Sequence, residues 1–497
     1  MSRGIRRFGP QLNWQLVLPV VSGATLAVGA GLVVCLVAAV GGGDDGSALA
    51  FGATAAVVLP LAALGVLSAR QLAAMPLRPR DGFFAVTAAW VVAAAVGGVP
   101  FLIAGTFDSP LDAFFESMSG FTTTGATLID DVSGQPDAIL LWRSISQWIG
   151  GVGIVVLVVA IAPATGLASQ RVFYAETSGV TADRLTPRIA DTAKILWGIY
   201  LGLTGIGFLA YLLAGMGPFA ALNHSMTTVA TGGFSTETAS IAAFDSLAVE
   251  LVAILLMAVA GVNFAFYWRA MRGSTIWPQA AEVRLYALLL AGGIALVTAS
   301  LVLASGGPGL ATSLREAAFA VTSLMTTTGF TTVDFDVYGD FARGLLLLTM
   351  FAGGCAGSTA GGMKVIRVLL LGKAVGQEVQ RQLRPKAVQV LRTRGRVFSE
   401  DVRRGVLGFA AIYLIVAAAG TLAMLATGVD ALSAVSSVAA TLNVVGPGLG
   451  DVGALENYTS ISDSGRAILS FLMLAGRLEV FTVLVLLTPA FWRPSTA

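Results

Sequence analysis

The chain is 497 residues long, 56% hydrophobic and 12% charged, with a formal net charge of +2 and a single histidine. A mean hydropathy of +0.82 excludes a soluble protein of this size and places the chain in a bilayer. No polar segment is long enough for a nucleotide-binding or catalytic domain outside the membrane, and no nucleic-acid partner is expected.

A basic tip, Met1–Pro10, precedes an apolar stretch from Gln15 to Val40, which is too long for a signal-peptide core and is expected to remain as the first span. Runs of roughly 20 apolar residues, enough to cross about 30 Å of hydrocarbon, begin near Asn13, Gly46, Gly82, Asp137, Asp191, Leu247, Val283, Phe341, Val402 and Arg466. The length rule predicts about ten spans in an all-α integral membrane protein. Four shorter apolar segments, Leu111–Gly120, Pro218–Val229, Leu310–Met325 and Ala431–Leu442, are too short to cross and are predicted to be half-membrane pore helices.

Each short segment runs into a similar loop: Thr122-Thr123-Thr124-Gly125, Val229-Ala230-Thr231-Gly232, Thr326-Thr327-Thr328-Gly329 and Asn443-Val444-Val445-Gly446. Dehydrating a small cation requires a ring of oxygen dipoles, which backbone carbonyls supply where glycine permits unusual dihedrals. A single chain builds such a ring only by repetition. The predicted fold is therefore four pseudo-repeated units of helix, pore helix, filter loop and helix around one central pore, plus two extra N-terminal transmembrane helices. The pair occupies 1–75, and the units occupy 82–168, 191–273, 283–382 and 400–492. A basic cytoplasmic hairpin or loop, 383–399, lies between the last two units.

Charge predicts orientation. Arg3, Arg6 and Arg7, then Arg70, Arg78 and Arg80, then Arg171, Arg184, Arg188 and Lys194, then Arg269, Arg272 and Arg284, and finally Lys373 through Arg404 fall on one side. The positive-inside rule makes that side cytoplasmic, with both termini on it. The opposite side carries the four loops and acidic residues such as Asp108, Asp130, Asp131 and Glu237, which read either as a cation-concentrating vestibule or as ordinary charge sorting. Glu116 either braces the first loop or is a vestibule charge. His224 has no Cys or carboxylate cluster beside it and reads as a core histidine. Trp142, Trp148, Trp197, Trp268 and Trp492 lie near predicted span ends, where interfacial anchoring is expected.

Within Phe351–Lys364, Gly353, Gly354, Gly357, Gly361 and Gly362 each cost roughly 1 kcal/mol in regular helix, so the third inner helix is predicted to break at mid-membrane. Irregular backbone at that depth belongs where it is buried in protein or lines a water-filled path, which makes this loop a candidate gate below the filter. Close helix packing by small residues is the alternative. Arg477 lies within the apolar run Ile468–Leu487, at a cost of at least about 2.5 kcal/mol unless partnered. It must face protein or water, as part of the gate or as a staple between helices. Lys364 either pairs with an acid or snorkels to the interface, and Glu479 is not expected to pair with Arg477.

The stretches Phe114–Ala126, Arg143–Gly153, Gly353–Lys364, Asn443–Gly448 and Gly476–Glu479 together resemble the Trk/Ktr/HKT potassium transporter superfamily over essentially the whole chain. The added first pair of spans is most similar to the Trk-type membrane subunit. The resemblance implies a multi-pass potassium-uptake subunit of the bacterial cytoplasmic membrane, with the potassium ion as transported substrate and no bound organic cofactor. It further implies a homodimer with one pore per protomer and a TrkA-like cytosolic subunit that binds NAD or ATP/ADP. Carried onto matching positions, it implies potassium binding by Thr123, Thr124 and Gly125, by Ala230, Thr231 and Gly232, by Thr327, Thr328 and Gly329, and by Val444, Val445 and Gly446. The implied gate comprises Gly353, Gly354, Gly357, Ser358, Gly361, Gly362, Lys364 and Arg477. Symport with H+ or Na+ is the alternative reading. An enzyme is not expected, since the spans carry no His/Asp/Glu or Ser/His constellation.

Overall fold

The computed structural model describes residues 12–69, 79–161, 189–273, 277–304, 307, 309–384, 392–393, 396–397 and 400–493. The basic tip 1–11 and much of the expected cytoplasmic basic segments lie outside the described residues.

Helices α1 (Trp14–Gly42) and α2 (Asp45–Ala69) form a hairpin that packs on α3 (Pro79–Ile103), with α1 also against α5 (Asp137–Ile161). The turn uses Gly43 at φ 72°, and Asp44 Oδ1 accepts from Ser47 N at 3.0 Å to start the second helix. The outward faces are apolar: Val37 is 67% and Leu61 64% exposed. Such a surface is stable only against lipid.

Four short helices follow the expected segments closely: α4 (Pro110–Phe121), α7 (Pro218–Val229), α11 (Leu310–Met325) and α15 (Ala431–Leu442). At 1.5 Å per residue a 12-residue helix reaches about 18 Å, short of a bilayer. Proline at the first position starts α4 and α7, where a missing N–H costs nothing, and the Asp430 side chain accepts from Leu432 N and Ser433 N to start α15. Several of their buried hydroxyls are satisfied within the turn: Thr122, Thr228, Thr326 and Thr441 each donate to the carbonyl four residues back. The short helices can therefore carry polar residues through the centre of an apolar protein.

Each short helix sits between a long leading helix and a trailing one. The leading helices are α3, α6 (Ile189–Leu213), α10 (Trp277–Leu303) and α14 (Glu400–Ala426); the trailing ones are α5, α8 (Leu247–Ala260), α12 (Asp340–Ala352) and α16 (Asp463–Arg477). Every trailing helix also packs on the next short helix: α5 on α7, α8 on α11, α12 on α15, and α16 on α4. The last contact closes the circle.

Three trailing helices break. After α8 the chain turns by 90° through Gly261–Asn263 into α9 (Phe264–Met271); after α12 it is irregular until α13 (Val365–Leu383); after α16 it bends at Leu478–Val480 into α17 (Phe481–Leu487), followed by α18 (Pro489–Trp492). The sequence foresaw only the second break. Among the described residues, six helices are long and apolar enough to cross a membrane, or seven with the α8–α9 pair, against the ten runs expected; three of the four runs not counted as single spans are the broken helices, which do not meet the length rule, and the fourth is α5. Two strands of two residues, β1 (Arg392–Thr393) and β2 (Arg396–Val397), pair antiparallel in the basic segment. Trp142 is not an interfacial anchor: it is fully buried and donates to the Gly97 carbonyl at 2.9 Å.

Candidate functional site

The four loops leave their helices in one conformation. In the first, Thr122 N, Thr123 N and Thr124 N donate to Met118, Gly120 and Ser119 carbonyls, and the same three-bond pattern recurs at Ala230–Gly232, Thr326–Thr328 and Asn443–Val445. Thr123, Thr231, Thr327 and Val444 all take left-handed φ values of 59°, 53°, 57° and 63°. Two residues later φ is positive again, at Gly125, Gly233, Gly329 and Gly446 (84°, 80°, 82° and 100°). This corrects the second loop by one residue. The conformational counterpart of Gly125 is Gly233, and Ala230 is the helix cap matching Thr122; the second loop's set is Thr231, Gly232 and Gly233.

The glycines report how the loops meet. A β-carbon built on Gly125 would lie 2.3 Å from the Gly232 carbonyl oxygen, one on Gly233 2.0 Å from that of Thr328, one on Gly329 2.0 Å from that of Val445, and one on Gly446 2.7 Å from that of Thr124. The order is cyclic, each loop pressing a glycine against a carbonyl of the next.

Side chains behind the loops fix this ring. Arg143 and Glu116, both fully buried, pair at 3.0 Å. Glu116 also accepts from Thr127 Oγ1 and Leu128 N, while Arg143 donates to the Ser235 carbonyl and lies over the Phe234 ring. Glu116 thus braces the first loop and, through Arg143, joins it to the second. At the junction of third and fourth loops Asp336 Oδ2 accepts from Gly450 N at 2.9 Å, and burial pushes the Asp336 carboxyl up. Tyr458 donates from its hydroxyl to Gly446 O and from its N–H to Thr127 O, tying the fourth loop to the first. His224 is a hydrogen-bonded core histidine between Ala220 O and Ser235 Oγ.

The irregular segment 353–364 lies against all four units. Thr359 Oγ1 donates to Val229 O at 2.9 Å, Gly361 N to Thr327 Oγ1 at 2.6 Å, Gly362 N to Asn443 O at 3.1 Å, and Cys355 N to Gly261 O at 2.8 Å. Arg477, 4% exposed, bridges Thr359 O at 2.8 Å and Gly150 O at 2.9 Å, which brings in the first unit. Gly353, Gly357 and Gly362 have φ of 68°, 77° and 71°, and Gly354 and Ser358 pack within the same turn, where the Ser358 hydroxyl donates to Cys355 O. Lys364 does not snorkel: it is buried and donates to Ala360 O. Glu479 accepts from Arg367 Nη2 at 2.7 Å, a partner the sequence did not indicate. Neither did it indicate Gln147, which contacts the second loop.

The described helices thus form a multi-span membrane protein with four helix–loop units closed in a circle. The family described as "TrkH: Cation transport protein" matches residues 51–493. Similar chains are the Trk system potassium uptake protein TrkH of Halomonas elongata, 44% identical over 90% of this chain and 93% of that protein, and its namesake in Escherichia coli K12, 42% identical over 84% and 87%. The crystal structure of the potassium transporter TrkH from Vibrio parahaemolyticus superposes with a TM-score of 0.86 at 37% identity, covering 97% of this chain and all of that one. The chain belongs to the TrkH family, and its role is transport, not enzymatic catalysis.

Proposed function

We propose that the chain takes up potassium across the bacterial inner membrane through the centre of its four loops. The carrying observation is the cyclic order of the loops, each positive-φ glycine against a carbonyl of the next. Left-handed backbone at the first and third positions of each loop, but not the second, turns successive carbonyls toward one side, the arrangement that replaces an ion's hydration shell. The filter comprises Thr123, Thr124 and Gly125; Thr231, Gly232 and Gly233; Thr327, Thr328 and Gly329; and Val444, Val445 and Gly446. The Thr123 hydroxyl, buried without a hydrogen-bond partner, adds an oxygen at the helix end of the loop. The names of the similar proteins favour potassium as the ion. The membrane potential drives entry at about 2.3 kcal/mol per charge per 100 mV.

Segment 353–364 is the gate. It seats Gly361 N on the Thr327 hydroxyl and is held by Arg477, whose charge also opposes a cation passing beneath the loops. The 19-residue α13 leads straight out of this segment, so a cytosolic nucleotide-binding subunit docked on it has a direct lever on the gate. A second copy of the chain completes the assembly, with both termini cytoplasmic. The test is potassium against sodium flux into proteoliposomes for wild type and Gly125→Ser. Potassium preference that falls in the variant supports the filter; flux indifferent to cation and substitution overturns it.

One observation favours proton-coupled uptake as a second reading: Glu282, fully buried, accepts from Ala356 N of the gate at 2.6 Å. Uptake driven by an imposed pH gradient and lost in Glu282→Gln distinguishes it from passive flow.

A further inference from the structure

The four loops are not stabilised alike. In the first, the Thr122 and Thr124 hydroxyls bond at 2.8 Å across the left-handed Thr123, and in the third, Thr326 and Thr328 do the same across Thr327, again at 2.8 Å. Each clamp closes the loop on its own helix end. The second loop has Ala230 and Gly232 at these two positions and has no hydroxyl at either.

Gln147, fully buried on α5 of the first unit, reaches that place from outside. Its Nε2 donates to Gly232 O at 2.5 Å and its Oε1 accepts from Phe234 N at 3.1 Å. The two partners assign the amide orientation, since a carbonyl only accepts and an N–H only donates. A β-carbon built on Gly232 would lie 2.4 Å from Gln147 Cδ and Oε1, so the glutamine fills the volume a side chain at 232 would occupy.

We infer that Gln147 is the positioning residue for the second quarter of the ion filter, supplying in trans the clamp that the paired threonines supply in the first and third loops. The inference rests on the filter reading above. Gly232 O corresponds to the oxygens of Thr124, Thr328 and Val445, and a carbonyl oxygen has two lone pairs, so the glutamine aims it while leaving one for an ion. Gly232 is glycine because the glutamine needs the room. A transport role for Gln147 thus comes from its two hydrogen bonds, and a merely structural role from its volume.

Gln147→Met separates the two, keeping length and volume while removing both bonds. The readouts are the K+/Na+ flux ratio in proteoliposomes and the difference between K+ and Na+ in raising the Tm of purified protein, which needs no open gate. Gln147→Met is expected to lower the K+ preference by about threefold to tenfold, the range one or two lost hydrogen bonds carry. Wild-type preference in Gln147→Met, with Gly125→Ser losing it, overturns the inference and leaves the filter reading standing. Wild-type preference in Gly125→Ser overturns the filter reading and this inference with it. Should Gln147→Met fail to assemble, Gln147→Leu removes the same two bonds with a branched apolar side chain, and the same outcomes apply.

Discussion

Alanine at each of the four positive-φ glycines gives a graded test of the ring. All four substitutions carry a similar backbone penalty of about 1–2 kcal/mol, because left-handed φ brings a β-carbon toward its own carbonyl. What differs is the space beyond. Real β-carbons are not found closer than 3.0 Å to a neighbour, and the separations available are 2.0 Å at Gly233 and Gly329, 2.3 Å at Gly125 and 2.7 Å at Gly446. Gly329 also meets Pro447 Cδ at 2.9 Å. The facing carbonyl must therefore retreat about 1 Å in the worst cases and about 0.3 Å in the mildest. Overpacking costs about 1–3 kcal/mol in general, so the extremes should differ by about 2 kcal/mol, or about thirtyfold in K+ uptake. The assay is initial uptake into proteoliposomes at equal protein incorporation. The expected order of damage is Gly233→Ala and Gly329→Ala, then Gly125→Ala, then Gly446→Ala. Equal damage at Gly446 and Gly233 would refute the cyclic contact as the cause.

Arg477→Met removes two charge-assisted hydrogen bonds, to Thr359 O of the proposed gate and to Gly150 O of α5, each about 1.5–3 kcal/mol, and is expected to raise K+ flux without any regulatory subunit; unchanged flux would refute its holding role. Arg143→Met leaves the Glu116 carboxylate buried and unpaired at a cost of about 3–5 kcal/mol, so the Tm in detergent should drop sharply, and a Tm equal to wild type contradicts the brace. Asp430 sits outside the spans, and its hydrogen bonds to Ser433 and Leu432 hold its carboxyl below the usual range. A depressed pKa stabilises above the unfolded value of about 3.9 and the gain disappears as pH falls through the folded one. Asp430→Ala should therefore lower Tm at pH 7 and leave it unchanged in strong acid, and a Tm difference that persists there argues against the cap.

Much of the architecture was legible because it depends on local length and composition. Apolar segments of 10 to 16 residues leading into a Thr-Gly or Val-Gly loop cannot cross hydrocarbon, so the four short helices stood out with ends within a residue or so of those observed. Five glycines in a row of twelve residues cannot make regular helix, so the break before α13 was visible too. The breaks after α8 and α16 were not, since no glycine cluster marks them; Glu479 and Val480 take φ of 59° and 54° only because packing and the Arg367 contact hold them there.

The chain's own residues determined that it is a membrane protein with four similar helix–loop units, because hydropathy and repetition are properties of the string. Tertiary structure alone decided the register of the second loop. Ala230-Thr231-Gly232-Gly233 can be matched to Thr-Thr-Thr-Gly in two ways, and a local pattern has no means to choose. The choice is made by the helix cap at Ala230 and by Gln147, 85 residues away from Gly232, which occupies the space beside it. The ion pair Arg367–Glu479, 112 residues apart, is likewise set only when the third and fourth units come together in a place where an unpaired charge costs too much to remain, whereas Glu116–Arg143, 27 residues apart, joins α4 to α5 within the first unit.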